Sequence, residues 1–277
     1  MLNSPRIREV TAVQHRGGQA LEREELLAVE NPLEIRVRLA GEPEPRSLAM
    51  TMRTPGDDAE LAAGFLCTEG IAQRRDQLLK IHVDRTHVLV DLAAGVRLPD
   101  GAHQRSFVMT SACGVCGRAS LDGLRAAPPG PLAAGRPVLA PAVIPGLPAA
   151  LLRVQTAFAA TGGIHAAGLF DAGGELGLLR EDVGRHNAVD KLVGALLLAD
   201  RLPAQDSVLL VSGRASFELV QKALMARIPV LAAVGAPSSL AVELAEEAGM
   251  TLLGFVRDGR FTVYSGGERI AGSRKTR

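Results

Sequence analysis

The sequence is poor in aromatic residues, in cysteine and in net charge, and each shortage excludes a class of protein. Its 277 residues include one Tyr, seven Phe and no Trp, and the formal net charge is +1. Proteins that bind single-stranded nucleic acid use aromatic stacking platforms and a basic groove, so no nucleic-acid partner is expected. The 3 cysteines are an odd number and do not form a disulfide framework.

Long apolar runs are also lacking. The chain has no apolar stretch of about 18 residues, the length that spans a membrane, and its polar beginning has no apolar run of signal-peptide type. We therefore expect a cytoplasmic protein without a membrane partner. Because 47% of its residues are hydrophobic and 22% are charged, the chain can bury a large core in one or two globular domains.

The first part of the chain, 1–125, is predicted to be a mainly β module with one helix. Asp57, followed three residues later by Glu60, predicts a capping-box start for a helix that continues to about Thr68. No regular element is predicted before residue 34. Alternation of apolar and polar residues predicts strands at 34–40, 48–53, 80–83, 86–91 and 106–110.

A proline-rich connection, 126–148, follows this module, and its composition is typical of a linker or a long surface segment. In the remaining part, 149–277, apolar runs alternate with helical periodicity, which predicts an α/β layer fold with a largely parallel sheet. The predicted elements are strands at 164–171, 176–180, 207–212, 229–234 and 251–255, and helices at 149–160, 184–199, 216–227 and 238–248. The predicted fold class is thus α/β, or α+β for the whole chain.

Two of the cysteines, Cys113 and Cys116, lie between glycines in the stretch 111–117. A pair with this spacing can form a disulfide, bind a soft metal or pass a sulfur atom between its members. A structural zinc site needs four ligands, and no second Cys pair or His pair of finger spacing is present. A thioredoxin-like role would require a βαβ context that the preceding strands do not offer. Sulfur relay needs only a nucleophilic thiolate and is favoured, whereas the third cysteine, Cys67, is predicted to be a core residue.

A second group of polar residues lies where predicted strands meet predicted helices. Such positions are the usual ligand sites of α/β sheets, because helix N-termini favour anions there. The segment 181–191 offers Asp182, Arg185 and His186 for a phosphate or a purine. The turns at 212–216 and 235–239, together with 255–260, are expected at the same edge, which predicts a nucleotide-sized pocket.

The segment 161–167 is similar to the strand of zinc nucleobase deaminases that bears a His-x-Glu motif. Ala167 stands where those enzymes have the glutamate, and no Pro-Cys-x-x-Cys motif follows. Deaminase chemistry is therefore excluded, and His165 is interpreted at even odds as a buried strand histidine.

Three motifs together resemble the FdhD family of formate dehydrogenase accessory sulfurtransferases. They are Ser-Ala-Cys-Gly-Val-Cys-Gly at 111–117, Glu-Asp-Val-Gly-Arg-His-Asn-Ala-Val-Asp-Lys at 181–191 and Ser-Gly-Arg at 212–214. The resemblance covers nearly the whole chain. It implies a cytidine-deaminase-like C-terminal domain and a homodimer. It also implies that sulfur passes from a cysteine desulfurase to the molybdenum bis-guanine-dinucleotide cofactor, a bound substrate, before that cofactor enters formate dehydrogenase.

Carried over by position, the resemblance makes Cys113 the persulfide-bearing residue and Cys116 its partner in the relay. It places a cofactor-binding segment at Phe255, Val256, Arg257, Asp258, Gly259 and Arg260. Partly from geometry, we assign to the guanine nucleotide Asp182, Arg185, His186, Ser212, Gly213 and Arg214. A GDP-like nucleotide is expected to mimic the cofactor, and no resident metal is predicted. Two alternatives stay open: a non-catalytic cofactor carrier whose Cys pair is structural or binds zinc, and a thiol-disulfide oxidoreductase.

Overall fold

The chain begins with a long two-stranded ribbon. In the computed structural model, which describes residues 5–98, 107–109 and 130–273, β1 (Ile7–Arg16) pairs antiparallel with β2 (Gln19–Ala28). Gly17 and Gly18 join them with φ values of 59° and 81°, which suit a tight hairpin turn. The prediction of no regular element here is wrong. Both faces of the ribbon are largely exposed, so the hydrophobic alternation that marks a half-buried strand is weak, and the Gly-Gly turn was the available signal.

The N-terminal module contains a five-stranded sheet in the order β5-β6-β3-β4-β7. β3 pairs antiparallel with β4 and parallel with β6, and β7 pairs parallel with β4 through Thr51 opposite Met109. The strands predicted for this module are confirmed, with modest shifts of their ends. Their bounds are Asn31–Arg38 (β3), Arg46–Arg53 (β4), Leu78–Val83 (β5), His87–Leu92 (β6) and Phe107–Met109 (β7).

The predicted helix of this module is α1 (Asp58–Thr68), but its predicted capping box does not form. Asp57 makes no side-chain cap and has φ 57°, and its carboxylate pairs with Arg6 instead. Glu60 is held by two hydrogen bonds from Arg180 of the second sheet. Asp57 and Glu60, which the local sequence assigns to the helix cap, are therefore both engaged in ion pairs with residues that are distant in the sequence.

The second sheet has six strands in the order β13-β12-β11-β10-β8-β9 and is mixed, so the prediction of a largely parallel sheet is wrong. Only β10–β11 and β11–β12 are parallel, and these pairs are the ones that enclose a crossover helix. β8 and β9 are joined by a connection too short for a crossover, which requires a dozen or more residues, and they are antiparallel. The bounds are His165–Phe170 (β8), Leu176–Asp182 (β9), Val208–Val211 (β10), Val230–Ala233 (β11), Thr251–Arg257 (β12) and Arg260–Ser265 (β13).

The predicted helices of this part are present, although the first is divided in two. α2 (Leu147–Leu152) and α3 (Thr156–Thr161) replace the predicted helix at 149–160. The longer helices are α4 (Arg185–Leu198), α5 (Phe217–Met225) and α6 (Ser239–Glu247). None of the helices in the described ranges is long and apolar enough to cross a membrane.

One hydrophobic core joins the two sheets, because α1 of the first module packs directly on α4 of the second. At their crossing, a Cβ on Gly64 would lie 1.7 Å from the carbonyl oxygen of Asp190, and a Cβ on Gly194 would lie 1.8 Å from that of Glu60. Only glycine allows this approach. The boundaries 1–125, 126–148 and 149–277 stay a prediction, but the modules they separate share one core along α4.

Candidate functional site

Five segments that carry predicted site residues or their neighbours meet at one edge of the six-stranded sheet. His165, at the start of β8, is opposite Asp182, at the end of β9, and β10 ends beside the same part of β8. Beyond β10 and β11, the amide of Gly235 donates to the carbonyl of Gly213 at 3.0 Å, and the amide of Phe255 donates to the carbonyl of Gly235 at 3.0 Å. The turns that the sequence places at separate strand ends therefore form one continuous surface.

The helices that leave this surface aim their N-termini at it. α4 starts at Arg185, α5 at Phe217 and α6 at Ser239, each directly after a strand or a turn of the edge. The first amides of a helix lack internal partners, and the helix dipole adds partial positive charge. Three convergent N-termini favour an anion at this edge.

Arg185, His165, Ser212 and Gly213 form the centre of the edge. The Ser212 hydroxyl accepts from the Ala166 amide at 2.9 Å and lies 3.4 Å from Nδ1 of His165. A Cβ on Gly213 would lie 3.5 Å from Cε1 of His165 and 3.9 Å from Cδ of Arg185. The Nε of Arg185 is buried and has no hydrogen-bond partner among the residues that the structure describes. A buried guanidinium donor without an acceptor is the expected state of a group that binds an anion.

His165 was not among the assigned binding residues, yet the structure places it in this centre. Burial lowers its pKa, and the positive charges of Arg185 and His186 lower it further. The imidazole is therefore expected to be neutral at pH 7, and it can donate or accept a hydrogen bond without adding charge. The similarity to the deaminase strand was the one sequence signal that pointed to it.

His186 turns away from Arg185 and faces the start of α5. Its Nε2 lies 3.4 Å from the Ser216 hydroxyl and 3.8 Å from Oε2 of Glu218. The pKa of Glu218 is lowered to about 2, and the side-chain interaction of Glu218 with His186 is the largest cause. His186 is 5% exposed, so its main described contacts are with these side chains. The sequence places Ser216 in a turn of this edge but gives it no contact with His186, and it gives no signal for Glu218, which looks like an ordinary residue of a helix start.

Asp182, which the sequence offers for contact with a phosphate or a purine, is 0% exposed. Its carboxylate pairs with Lys191 at 2.7 Å and accepts hydrogen bonds from the amides of Thr54 and Gly184 and from the side chain of Asn187. Burial raises its pKa, whereas Lys191 lowers it. These donors surround both oxygens, so the carboxylate lies on the buried side of the edge and holds the backbone and side chains around it in place.

We name the group around Asp182 the strand cluster, and it consists of Thr51, Thr54, Asp182, Asn187 and Lys191. Asn187 donates to the carbonyl of Met52 at 2.8 Å and accepts from the Thr51 hydroxyl at 3.0 Å. Lys191 donates to the carbonyl of Thr54 at 2.8 Å, and the Thr54 hydroxyl accepts from the amide of Val183 at 3.1 Å. The cluster therefore ties the end of β4 to the start of α4.

The predicted cofactor-binding segment 255–260 is the tight hairpin between β12 and β13. Asp258 and Gly259 form its turn with φ values of 54° and 74°. Arg257 is half-exposed, and its guanidinium lies 5.7 Å from the ring centre of Phe255. Arg260, Asp258 and Gly259 are exposed, but Val256 is 0% exposed and belongs to the core. Its side chain therefore does not reach a ligand, and the other five residues remain available.

Arg214 is exposed and follows Gly213 on the same turn. A Cβ on Gly235 would lie 3.1 Å from Cγ and 3.2 Å from Cα of Arg214, so the two turns are in close contact. This arrangement gives the edge a second guanidinium, which faces solvent, in addition to that of the half-buried Arg185.

The FdhD/NarQ family model matches residues 28–271. The chain belongs to the FdhD/NarQ family. Family members similar to it include proteins named sulfur carrier protein FdhD from Streptomyces coelicolor and Sulfolobus acidocaldarius. The first is 53% identical, with 92% of this chain and 93% of the relative covered, and the second is 43% identical, with 95% and 98% covered.

A solved structure gives the same result for the fold. A protein described as a formate dehydrogenase accessory protein from Desulfotalea psychrophila superposes with a TM-score of 0.76 at 27% identity, over 96% of this chain and 100% of the other. The predicted family and the predicted α/β, mixed fold class are thus confirmed.

The family motif that carries Cys113 and Cys116 lies outside the described residues, and the roles assigned to these cysteines stay predictions. Cys67 is 0% exposed, and burial raises its pKa to about 12. Because the thiolate is the reactive form, this cysteine is unsuited to sulfur transfer. The interpretation of Cys67 as a core residue agrees with its position.

Proposed function

We propose that this protein is a sulfurtransferase that takes persulfide sulfur from a cysteine desulfurase on Cys113. It then passes that sulfur to the molybdenum bis-guanine-dinucleotide cofactor, which formate dehydrogenase requires. The proposed setting is the cytoplasm. Membership of a family whose relatives are named sulfur carrier proteins supports the sulfur chemistry. The observation that supports the cofactor as acceptor is the sheet edge, where the buried Nε of Arg185 has no hydrogen-bond partner within the described ranges.

The charges and helix ends of the edge suit a guanine dinucleotide. Its phosphates need guanidinium groups and free amides, and Arg185, Arg214 and the starts of α4, α5 and α6 are at this edge. The hairpin at 255–260 adds Arg257 and Arg260 beside it. Neutral His165 and the Ser212 hydroxyl offer hydrogen bonds that do not depend on charge. GDP is therefore the simplest probe of this pocket.

The described residue that comes last before the cysteine motif is Met109, at the end of β7 in the N-terminal sheet. β7 runs parallel to β4, and its last residue, Met109, is paired with Thr51, which bonds Asn187 two residues after Arg185. Cys113 follows Met109 by four residues, so chain length alone limits the distance between their Cα atoms to about 14 Å. The proposed relay requires the Cys113 thiol to reach a ligand at the edge within this limit.

The chemistry has two steps. In the first, the thiolate of Cys113 attacks the outer sulfur of the desulfurase persulfide, so a new sulfur–sulfur bond forms and the desulfurase leaves as a thiolate. In the second, the outer sulfur passes from Cys113 to the metal centre of the bound cofactor, which supplies the electron pair that makes it a sulfido ligand. Cys113 is left as a thiolate and can be loaded again.

The test is incubation with a cysteine desulfurase and cysteine, followed by intact-mass measurement. Wild type is expected to gain the mass of one sulfur atom, and Cys113→Ala is expected to gain none while its GDP affinity is retained. Cys67→Ala, which also removes one thiol, is the matched control and is expected to load normally. A full-yield persulfide on Cys113→Ala would contradict the assignment, and Cys116→Ala shows whether the second thiol is needed.

The competing function is a cofactor carrier whose cysteine pair binds zinc or only stabilises its loop. Stoichiometric zinc that is lost on Cys116→Ala, with no sulfur gained from the desulfurase, would favour that carrier over the transferase. Light scattering of the purified protein tests the proposed homodimer, and copurification with a cysteine desulfurase or with formate dehydrogenase tests the proposed partners.

A further inference from the structure

Three polar residues of the family motif 181–191 bond to the end of β4 and not to the ligand edge. Asp182, Asn187 and Lys191 are buried, with exposures of 0%, 4% and 0%. Their partners lie about 130 residues earlier in the chain, in β4 and in Thr54, the residue directly after it. Ligand binding alone does not explain why these three side chains are buried against β4.

The strand cluster holds one short piece of backbone on several sides. Lys191 and Asp182 bind the carbonyl and the amide of the same residue, Thr54, at 2.8 Å and 3.1 Å. Asn187 binds the carbonyl of Met52 and the hydroxyl of Thr51. Buried and fully bonded polar networks are rigid, because every displaced group would be left unsatisfied. The end of β4 is therefore fixed against the start of α4.

The neighbour of β4 on this side of the sheet is β7. Thr51 is paired with Met109, the last residue of β7, and neighbouring strands lie about 4.8 Å apart. The hydrogen bond of Asn187 to Thr51 therefore also restrains Met109, which is the last described residue before the segment that bears Cys113.

We propose that the strand cluster is a positioning device, which fixes the β4–β7 strand pair, and with it the base of the cysteine-bearing segment, relative to the nucleotide edge. This inference rests on the proposed function. The members of the strand cluster do not bind the cofactor; they hold Met109, the last described residue before Cys113, in place relative to the edge. Since Arg185 and Asn187 are two residues apart on α4, the edge and the strand pair share one rigid element.

A matched comparison exists within the same helix. We name Thr68, Asp190 and Lys222 the helix cluster, because its members lie on α1, α4 and α5. Lys222 donates to both carboxylate oxygens of Asp190 at 2.8 Å and to the Thr68 hydroxyl at 3.0 Å, and that hydroxyl donates to Asp190 at 2.7 Å. Like the strand cluster, it is buried and contains a threonine, an aspartate and a lysine, but it ties helices together, and its described hydrogen bonds do not reach β4.

The experiment compares Thr51→Val with Thr68→Val, because each removes one buried hydroxyl and keeps the shape of the side chain. The first readout is amide hydrogen exchange of peptides that contain 49–51 and 107–109. Thr51→Val is expected to speed exchange there by about fivefold to tenfold, the effect of one lost hydrogen bond, and Thr68→Val is expected to leave it unchanged. Asn187→Ala removes all the bonds of that side chain and should give a larger change of the same kind.

The second readout separates positioning from stability. Sulfur loading by the desulfurase and affinity for GDP are expected to stay near wild type in both valine variants, while delivery from loaded protein to the cofactor slows only in Thr51→Val. Equal slowing in Thr68→Val, or unchanged exchange in both Thr51→Val and Asn187→Ala, would overturn the inference. Wild type that gains no sulfur would instead overturn the proposed function, and the exchange readout, which needs no sulfur, still decides whether the cluster holds the strands.

Discussion

The two buried Lys–Asp–Thr clusters of α4 use the same chemistry for different purposes. Asp190 and Lys191 are neighbours in sequence, yet Asp190 is paired with Lys222 of α5, and Lys191 is paired with Asp182 at the end of β9. The helix cluster joins three helices side by side. The strand cluster joins a strand of the first module to the edge that gathers the candidate ligand residues. The comparison teaches that the role of a buried ion pair depends on which elements it joins, since the two pairs are chemically alike.

The largest expected effect comes from Lys191→Met. Asp182 and Lys191 are both 0% exposed in their side chains, so the change leaves a buried carboxylate without its counter-charge. Loss of one partner of such a pair costs about 3–5 kcal/mol of unfolding free energy. Urea unfolding followed by circular dichroism measures it, which suits a chain without Trp. Lys222→Met, the matched change in the helix cluster, is expected to fall in the same range but to leave GDP affinity unchanged, whereas Lys191→Met weakens GDP binding.

The pH dependence of Lys191→Met follows from the carboxylate that remains. Burial raises the pKa of Asp182 above 3.8, and removal of Lys191 takes away the main cause that lowers it. A raised pKa in the folded state means that protonation favours folding, so stability is retained below the unfolded value and lost as the pH rises through the folded one. The deficit of the variant relative to wild type should therefore shrink at acid pH. Addition of Asp182→Asn to Lys191→Met should recover part of the loss at neutral pH, and no recovery would contradict the account.

The sequence predicts the ligand edge at the start of α4 better than the buried contacts that α4 makes with β4. The strands, the helices and the polar turns after β10 and β11 follow from periodicity and turn residues, so the edge was predictable. The inward role of Asp182 was not, because its partner Thr54 is 128 residues away in the chain and polarity alone suggests exposure. The antiparallel β8–β9 pair was open to prediction from its short connection. The ribbon β1–β2 has exposed faces that leave little periodic signal, and only Gly17-Gly18 marks it.

The next effect in size concerns Arg185, two residues before the strand cluster on α4. Its buried Nε is expected to bond an oxygen of the bound nucleotide, and a hydrogen bond to a charged group is worth about 1.5–3 kcal/mol, or roughly 10- to 100-fold in affinity. Arg185→Gln should weaken GDP binding by that factor in isothermal titration. Arg201→Gln, an exposed arginine beyond the other end of α4, is the matched control and should not change binding at moderate salt. Equal losses in both variants would indicate non-specific charge attraction instead of a site.

The smallest expected effect concerns Glu218, which faces His186 at the start of α5. Its interaction with His186 lowers the pKa of this carboxyl from 4.5 to about 2. A lowered pKa in the folded state gives stability that is present above the unfolded value and lost as the pH falls through the folded one. Glu218→Gln should therefore lower the melting temperature slightly near neutral pH, and the difference from wild type should vanish between about pH 4.5 and pH 2. Glu243→Gln, an exposed carboxylate on α6, serves as the control for the general effect of acid, and its difference from wild type should stay constant. If Glu218→Gln instead kept the pH dependence of the wild-type melting temperature, the contact of Glu218 with His186 would not stabilise the fold, and the contact with Ser216 would have to orient His186 at the edge.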